Sequence, residues 1–466
     1  MPSRVLIEGG WVFAGEGSGP FDIIGDGVVA VEGERIVYVG PASGLDPSWQ
    51  PTRRIDARGK IILPGLVNAH THHAMSLLRG YADDVPLMPW LEEHIWPAEA
   101  HLTGDDVYWG TLLAIAESLL AGVTTFADMY FFMDRVAQAV LETGVRAHLS
   151  RGLIGVAPGA DRALEEGKAL VSGFHGAGDG RIRCALAPHA PYTCPPPYVA
   201  RVLEAAAALG CPIHTHLAET RAEIEQIRAQ YGKSPIRHFA ELGVFQHETL
   251  AAHCVHLDAA DIALLAEHRV GVAHNPISNC KLASGIAPVP ELLAAGVTVG
   301  LASDGAASTN HLDLFEEMRL AANLQKVSRY DATALPAWQV LRMATVGGAR
   351  ALGFDRLGCL APGYLADIVI LDLRAPHLWP RHDLTSLVVY SAKAADVDTV
   401  LVHGKVLVDG GELLTIDLER VEHETQQRAE RLARLGRAAR TGPAGRNPST
   451  PAGESAGPSP RGRSAQ

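Results

Sequence analysis

The chain has 466 residues, 47% of them hydrophobic and 20% charged, enough for one large domain with a smaller companion and a sizeable core. With 40 Lys and Arg against 52 Asp and Glu, the formal net charge of -12 argues against a nucleic-acid backbone or an anionic membrane as the main partner and leaves a small molecule. No run approaches the roughly eighteen apolar residues of a membrane span, no basic-then-apolar leader opens the chain, and the six cysteines lack C-x-x-C spacing, so the expected setting is the reducing cytoplasm.

Residues 1–61 read as short apolar runs broken by Gly and Pro, "RVLIEGGWVF", "DGVVAVEGERIVYVG" and "RRIDARGKIIL", which predict antiparallel strands and hairpins. From 62 to 360 the pattern changes to strands alternating with helical stretches. Eight strand candidates follow one another: "KIILPGLVNAHTH", "GVTTFADM", "GVRAHLSRGL", "RIRCALAPHAPYT", "CPIHTHLAET", "TLAAHCVHL", "RVGVAHNPISN" and "VTVGLASDGAAS". Helical periodicity fills most gaps, as over Thr103–Ala121 and Pro197–Leu209. Eight strand-then-helix repeats predict an α/β fold of the (β/α)8 TIM-barrel type. A doubly wound open sheet is the alternative, but it has no need of polar residues at the end of so many strands. Over 361–414 the strand-and-turn texture returns in "ADIVILDL" and "VDTVLVHGKVLVDGGEL", so the two termini are expected to build one small composite β-sandwich domain. A charged amphipathic helix is expected at 415–440, and a disordered tail rich in Pro, Gly and Ser at 441–466.

In such a barrel, chemistry sits at the C-terminal mouth. The first strand ends in His70 and His72, whose spacing of two puts both imidazoles on one face, with His73 on the other. His189 ends the fourth strand, His214 and His216 the fifth, His253 the sixth with His256 beyond it, and Asp304 the eighth. Imidazoles and a carboxylate converging on one rim form a divalent-cation site, zinc by default, with iron and nickel as alternatives. The expected ligands are His70, His72, His216 and Asp304. His73, His256 and His274 read as structural, and His214, one layer deeper than His216, as a packed supporting residue. Glu219, three residues after His216, lies where a carboxylate can shuttle protons to a bound substrate without ligating the ion. As a plain surface residue it would begin a helix, favourably placed for the dipole.

With these segments, "WPAEA", "LSRGL", "HNPISNCKLASGIAPV" and "SDGAASTNHLDLFEEMRLA" resemble the amidohydrolase superfamily over residues 5–414. Within it the chain is most similar to the 5'-methylthioadenosine/S-adenosylhomocysteine deaminases, neighbours of the triazine hydrolases and guanine-type deaminases. The resemblance implies a metal-dependent hydrolytic deaminase that converts either nucleoside to its inosine analogue plus ammonia, with one Zn2+ per subunit. No Lys ends the fourth strand, where binuclear members carry a carboxylated Lys, which agrees with a single ion. By the same resemblance His70, His72, His216 and Asp304 are the ligands, Glu219 the proton-transfer acid, and His253 the residue that orients the attacking water. Glu99, Arg151 and His189 would contact substrate alongside Glu219 and Asp304, with Arg162 a candidate second arginine for a charged tail. A triazine or guanine-type hydrolase is the alternative, in which a flat ring offers no diol to Glu99 and no tail to Arg151. A non-catalytic metal-binding barrel is disfavoured because Glu219 and His253 stand beside the ligands. The expected partner is a small nucleoside, with no nucleic acid or membrane, and a homo-oligomer is compatible with each reading.

Overall fold

The computed structural model describes residues 3–17 and 19–441. Eight parallel strands run in chain order: β1 (Leu66–Thr71), β2 (Val123–Tyr130), β3 (Arg146–Leu153), β4 (Ile182–Pro188), β5 (Ile213–Leu217), β6 (Thr249–His253), β7 (Gly271–His274) and β8 (Val299–Leu301). The ring is drawn together at its mouth, where the Asp304 N–H, just past β8, donates to the His70 carbonyl on β1 at 2.9 Å. Each strand candidate contributes one of these eight. The first divides: Lys60–Pro64 joins the terminal sheet, and β1 starts beyond Gly65. A Cβ on Gly65 would lie 2.2 Å from Thr124 Oγ1, so only glycine lets the chain pass this close to β2 as it leaves one sheet for the other.

Strands covered on both faces read as continuous apolar runs, and every residue of β2 is buried. The helices between strands include α1 (Gly104–Leu120), α2 (Ala160–Phe174) and α3 (Arg221–Tyr231). Thr103 and Asp106 cap α1 reciprocally, each side chain taking the other's backbone N–H.

The strands of both termini form one nine-stranded mixed sheet. Lys60–Pro64 is its middle member, antiparallel to Ile368–Asp372 and parallel to part of Arg4–Ala14. The sheet has its own core, which includes Ile7, Val29, Ile36, Ile62, Ile368 and Leu401. Arg146, opening β3, fastens the barrel to this sheet by a bidentate pair with Asp367 at 2.9 and 3.0 Å, each side chain 1% exposed.

The expected C-terminal helix is α4 (Leu418–Thr441). It packs against α1 and the helical stretch before it, where Arg431 donates to Asp106 at 2.5 Å and Gly436 lies against Tyr81 and Ala98. The disordered tail was expected at 441–466, and residues 442–466 lie outside the described residues. Among the described residues, no helix is long and apolar enough to cross a membrane.

Candidate active site

Four rings meet at the barrel mouth. The His70 ring stands edge-on to those of His72, His214 and His216, with centroids 4.8, 5.0 and 4.9 Å away. Ligand atoms of His70, His72 and Asp304 lie within 4.8 Å of one another, as do those of His70, His216 and His253.

Whether this cluster suits a cation depends on where its lone pairs point. The Nδ1 of His72 is 2.6 Å from the Met129 carbonyl, and that of His216 is 2.8 Å from the His189 carbonyl. A carbonyl only accepts, so each Nδ1 carries hydrogen and each neutral ring keeps its lone pair on Nε2. For His70 a chain of hydrogen bonds makes the same choice. The Ser150 hydroxyl donates to the Asp128 carbonyl at 3.1 Å, so its oxygen accepts from His214 Nδ1 at 3.1 Å. His214 Nε2 then accepts from His70 Nδ1 at 2.9 Å. His70 Nε2 is left buried with no hydrogen-bond partner.

Burial first, and then the neighbouring imidazoles, hold His70 and His216 well below the usual histidine range, so both are neutral. The Nε2 atoms of His72 and His70 face Asp304 Oδ1 at 3.2 and 3.6 Å. Burial works against charge on His72, but the Asp304 carboxylate outweighs it and raises the imidazole to about 9. Burial likewise opposes charge on Asp304, yet His72 holds its carboxyl far below the normal range. His72 Nε2 thus faces Asp304 with a proton that a cation would displace, and the imidazoles of His70, His72 and His216, in two groups that share His70, make with the Asp304 carboxylate a donor set that fits a zinc-type ion.

The Asp304 carboxylate is fixed from behind. Gly305 N–H donates to Oδ1 at 2.8 Å, and the Ser278 and Ser308 hydroxyls donate to Oδ2 at 2.6 and 3.0 Å. Its φ of +70°, with +74° at His253 and +54° at Ala218, puts non-glycine residues in the left-handed region at three strand ends around the locus. Such strain persists only where the surroundings over-determine it, and it clusters at functional sites.

A cavity opens above the cluster, with His72, His216 and Asp304 among its lining and Trp90, Ile95 and Glu99 on the helical stretch 87–99. Glu219 is buried, with Oε2 3.8 Å from His253 Nε2, and burial raises its carboxyl above the ordinary value. His253 Nδ1 donates to Asn279 Oδ1 at 2.9 Å, which directs Nε2 at the cavity. His189 Nδ1 donates to Thr193 Oγ1 at 3.0 Å, because that hydroxyl is itself spent on the Ala190 carbonyl. Burial, followed by His72 and His253, lowers His189 to about 4, so its Nε2 is an acceptor. Glu99 takes the Tyr130 hydroxyl on Oε1 at 2.6 Å, and burial pushes its carboxyl up to about 7.

Arg151 is not on the cavity wall. Alternation along β3 turns Ser150 and Gly152 inward and Arg151 outward, where its Nε donates to Glu166 on α2 at 3.0 Å. Arg162 donates to the other oxygen of Glu166 at 2.8 Å. His256 is a structural residue, with Nε2 2.7 Å from the Ser284 carbonyl, and His73 and His274 are buried away from the cavity.

Residues 61–407 match the amidohydrolase family model. The chain belongs to the amidohydrolase family. A 5-methylthioadenosine/S-adenosylhomocysteine deaminase of Pelotomaculum thermopropionicum is 54% identical over 430 residues, covering 92% of this chain and 99% of the relative. Another, of Desulforudis audaxviator, is 56% identical over 430 residues with the same coverage. Among solved structures, an adenosine deaminase from Xanthomonas campestris with bound zinc superposes with a TM-score of 0.87 at 39% identity, over 92% of this chain and 99% of that one.

This amidohydrolase site also draws on residues that sequence reasoning passed over: Tyr130, Ser150, Asn279, Ser278, Ser308 and Glu223. Only Glu223 leaves a local trace. It follows Thr220 at the capping-box spacing, but its carboxylate reaches further back, taking the N–H groups of Ala218 at 2.9 Å and Glu219 at 2.8 Å.

Proposed function

We propose that this chain is a hydrolytic deaminase of adenine nucleosides, acting on 5'-methylthioadenosine, S-adenosylhomocysteine or both, with one divalent ion per subunit, zinc by preference. The catalytic barrel then begins at Leu66 rather than at 62 and runs to about 360, and the segments before Gly65 and over 361–414 are its β domain. His70, His72, His216 and Asp304 would hold the ion. The observation that carries the reading is Glu219 and His253 standing together beside that donor set and facing one cavity. Relatives at 54% and 56% identity that bear the deaminase name support it.

The ion, when bound, lowers the pKa of water to about 7 and so makes a nucleophile available at neutral pH. Asp304, its carboxylate braced by two serines, takes a proton from the attacking water. His253 Nε2 holds the water oxygen on the face of the purine. Glu219, whose carboxyl burial raises above the ordinary value, gives a proton to the ring nitrogen beside the amino-bearing carbon, so that charge does not build on the ring as the C–O bond forms. Asp304 passes the proton it took from water to the amino group, the C–N bond breaks to release ammonia, and the proton of the new hydroxyl returns to Glu219 as the C=O bond forms. Glu99 accepts from the ribose diol, and His189 Nε2 accepts a further substrate hydrogen.

The test is ammonia release from methylthioadenosine, S-adenosylhomocysteine, adenosine, guanine and an aminotriazine by metal-analysed protein. Glu219→Gln is expected to keep its metal and lose activity by about 10²–10⁴-fold. Near-normal turnover by that variant, or a preference for the triazine, refutes the assignment.

A further inference from the structure

We infer that Glu317 is a positioning residue of this active site, capping from the helix after β8 the short helix that aims both Asp304 and His253. The inference rests on the deaminase reading above and adds to it the residue that places its two water-handling groups.

The segment after β7 folds into a helix of six residues, Pro276–Lys281. Two consecutive side chains on it reach the groups assigned to the attacking water: the Ser278 hydroxyl donates to Asp304 Oδ2 at 2.6 Å, and Asn279 Oδ1 accepts from His253 Nδ1 at 2.9 Å. Asn279 has no second hold. Its Nδ2 is buried without a hydrogen-bond partner among the described residues, so the helix backbone decides where its oxygen stands.

A helix this short is marginal by itself, and its first N–H groups need acceptors. Asn275 occupies the cap position, where an asparagine side chain would ordinarily accept from the first turn. It makes no such bond, and its Nδ2 lies 3.2 Å from His253 Nδ1 instead. Pro276 has no N–H, and the Ile277 N–H donates to Glu317 Oε2 at 3.1 Å, forty positions along on the helix Leu314–Arg329. Glu317 is fully buried, and burial holds its carboxyl well above the ordinary range despite that N–H, so it serves as a neutral acceptor. Its Oε1 has no hydrogen-bond partner among the described residues. Without this cap the helix start is freed, one and two residues before Ser278 and Asn279. Asp304 still holds the Gly305 N–H and the Ser308 hydroxyl, so the donor set survives while His253 loses its aim. Glu99 and His189 stand on other elements, so nucleoside binding is spared.

The experiment measures kcat, KM and metal content for wild type, Glu317→Gln, Glu317→Asp and Glu317→Leu, and follows amide hydrogen exchange of residues 276–281 in the same preparations. Glu317→Leu, which offers no acceptor, should lower kcat by about a hundredfold, with KM and metal content unchanged. Glu317→Asp, whose carboxyl is drawn back by one methylene, should lose about tenfold. Glu317→Gln, whose amide oxygen still accepts from Ile277, should lose no more than about threefold. Exchange should quicken about tenfold in Glu317→Leu, by less in Glu317→Asp, and stay near wild type in Glu317→Gln. Where Glu317→Leu does not fold, the contrast between Glu317→Asp and Glu317→Gln decides. Glu317→Gln as impaired as Glu317→Asp, Glu317→Asp with the kcat of wild type, activity lost in step with metal, or exchange alike in all four proteins each overturns the inference while leaving the deaminase reading intact. Ammonia release from neither nucleoside by wild type overturns both.

Discussion

His70 presents a bare Nε2 only while its proton stays on Nδ1, and that choice is made by a hydroxyl two side chains away. If Ser150 did not spend its hydrogen on the Asp128 carbonyl, His214 could take either tautomer, and the one with hydrogen on Nε2 would make His70 Nδ1 the acceptor and turn the His70 hydrogen toward the ion. Partners that fix a ligand's tautomer typically contribute 10–100-fold to metal affinity. His214→Leu should therefore weaken zinc binding by the metal-free protein about 10–100-fold in a chelator competition. His214→Gln, whose amide can accept from His70 and donate to Ser150, should recover part of it; equal affinity in all three proteins would show the chain to be inert. Glu99 makes a second single-residue prediction. Its carboxyl sits near 7 because burial outweighs the Tyr130 hydrogen bond. Below that value it carries a proton and loses acceptor capacity toward a diol; above it the full carboxylate is available. KM for the nucleoside should fall as pH rises from about 6 to about 8, and Glu99→Gln should flatten the profile. A wild-type KM that rises over this interval would remove Glu99 from ribose binding.

The turn between β5 and α3 shows how an element places one proton donor. β5 ends at Leu217, Ala218 takes a φ of +54°, and Thr220 caps α3. Glu223, from the first turn of α3, folds back and holds the Ala218 and Glu219 N–H groups on its two carboxylate oxygens. Glu223→Gln sets an amide N–H₂ against one of those donors. The resulting shift of the turn should lower kcat by about a hundredfold, the cost of an ångström-sized misplacement, with metal content unchanged. Unchanged kcat would mean that Ala218 keeps its conformation unaided.

The same elements mark what a sequence discloses. The eight strands were legible because short apolar-rich stretches alternate with helical periodicity, and the His70/His72 pair because strand period fixes i and i+2 on one side. Strand period also turns Arg151 away from Ser150 and Gly152, information that the resemblance to known deaminases does not carry. Ser150 and His214 are 64 positions apart on strands that are not neighbours in the sheet order, and no local pattern encodes their meeting. Glu166 likewise reads as one of several acidic residues on an exposed helix until the fold brings Arg151 beside it.

At the size of the whole chain, the telling join is between barrel and terminal sheet. Similar texture at both ends suggested that they fold together, but the pairing of Lys60–Pro64 with Ile368–Asp372 spans some three hundred residues and follows only from the barrel bringing its own ends close. The joint is ionic rather than apolar. Arg146 and Asp367 are each 1% exposed, and Asp367 also accepts the His403 N–H at 2.9 Å, so one carboxylate ties β3 to two segments of the terminal sheet. Breaking one side of such a pair strands a charge in a dry interface, at a cost of about 3–5 kcal/mol, whereas exchanging both partners for apolar residues removes the stranded charge. Asp367→Asn and Arg146→Leu should each lower unfolding free energy by about that amount in denaturant titration. Arg146→Leu combined with Asp367→Leu should recover much of the loss, short of full recovery because the His403 N–H is left without its acceptor. Single variants within about 1 kcal/mol of wild type would mean that water reaches the joint and that the two units are held by their apolar contacts alone.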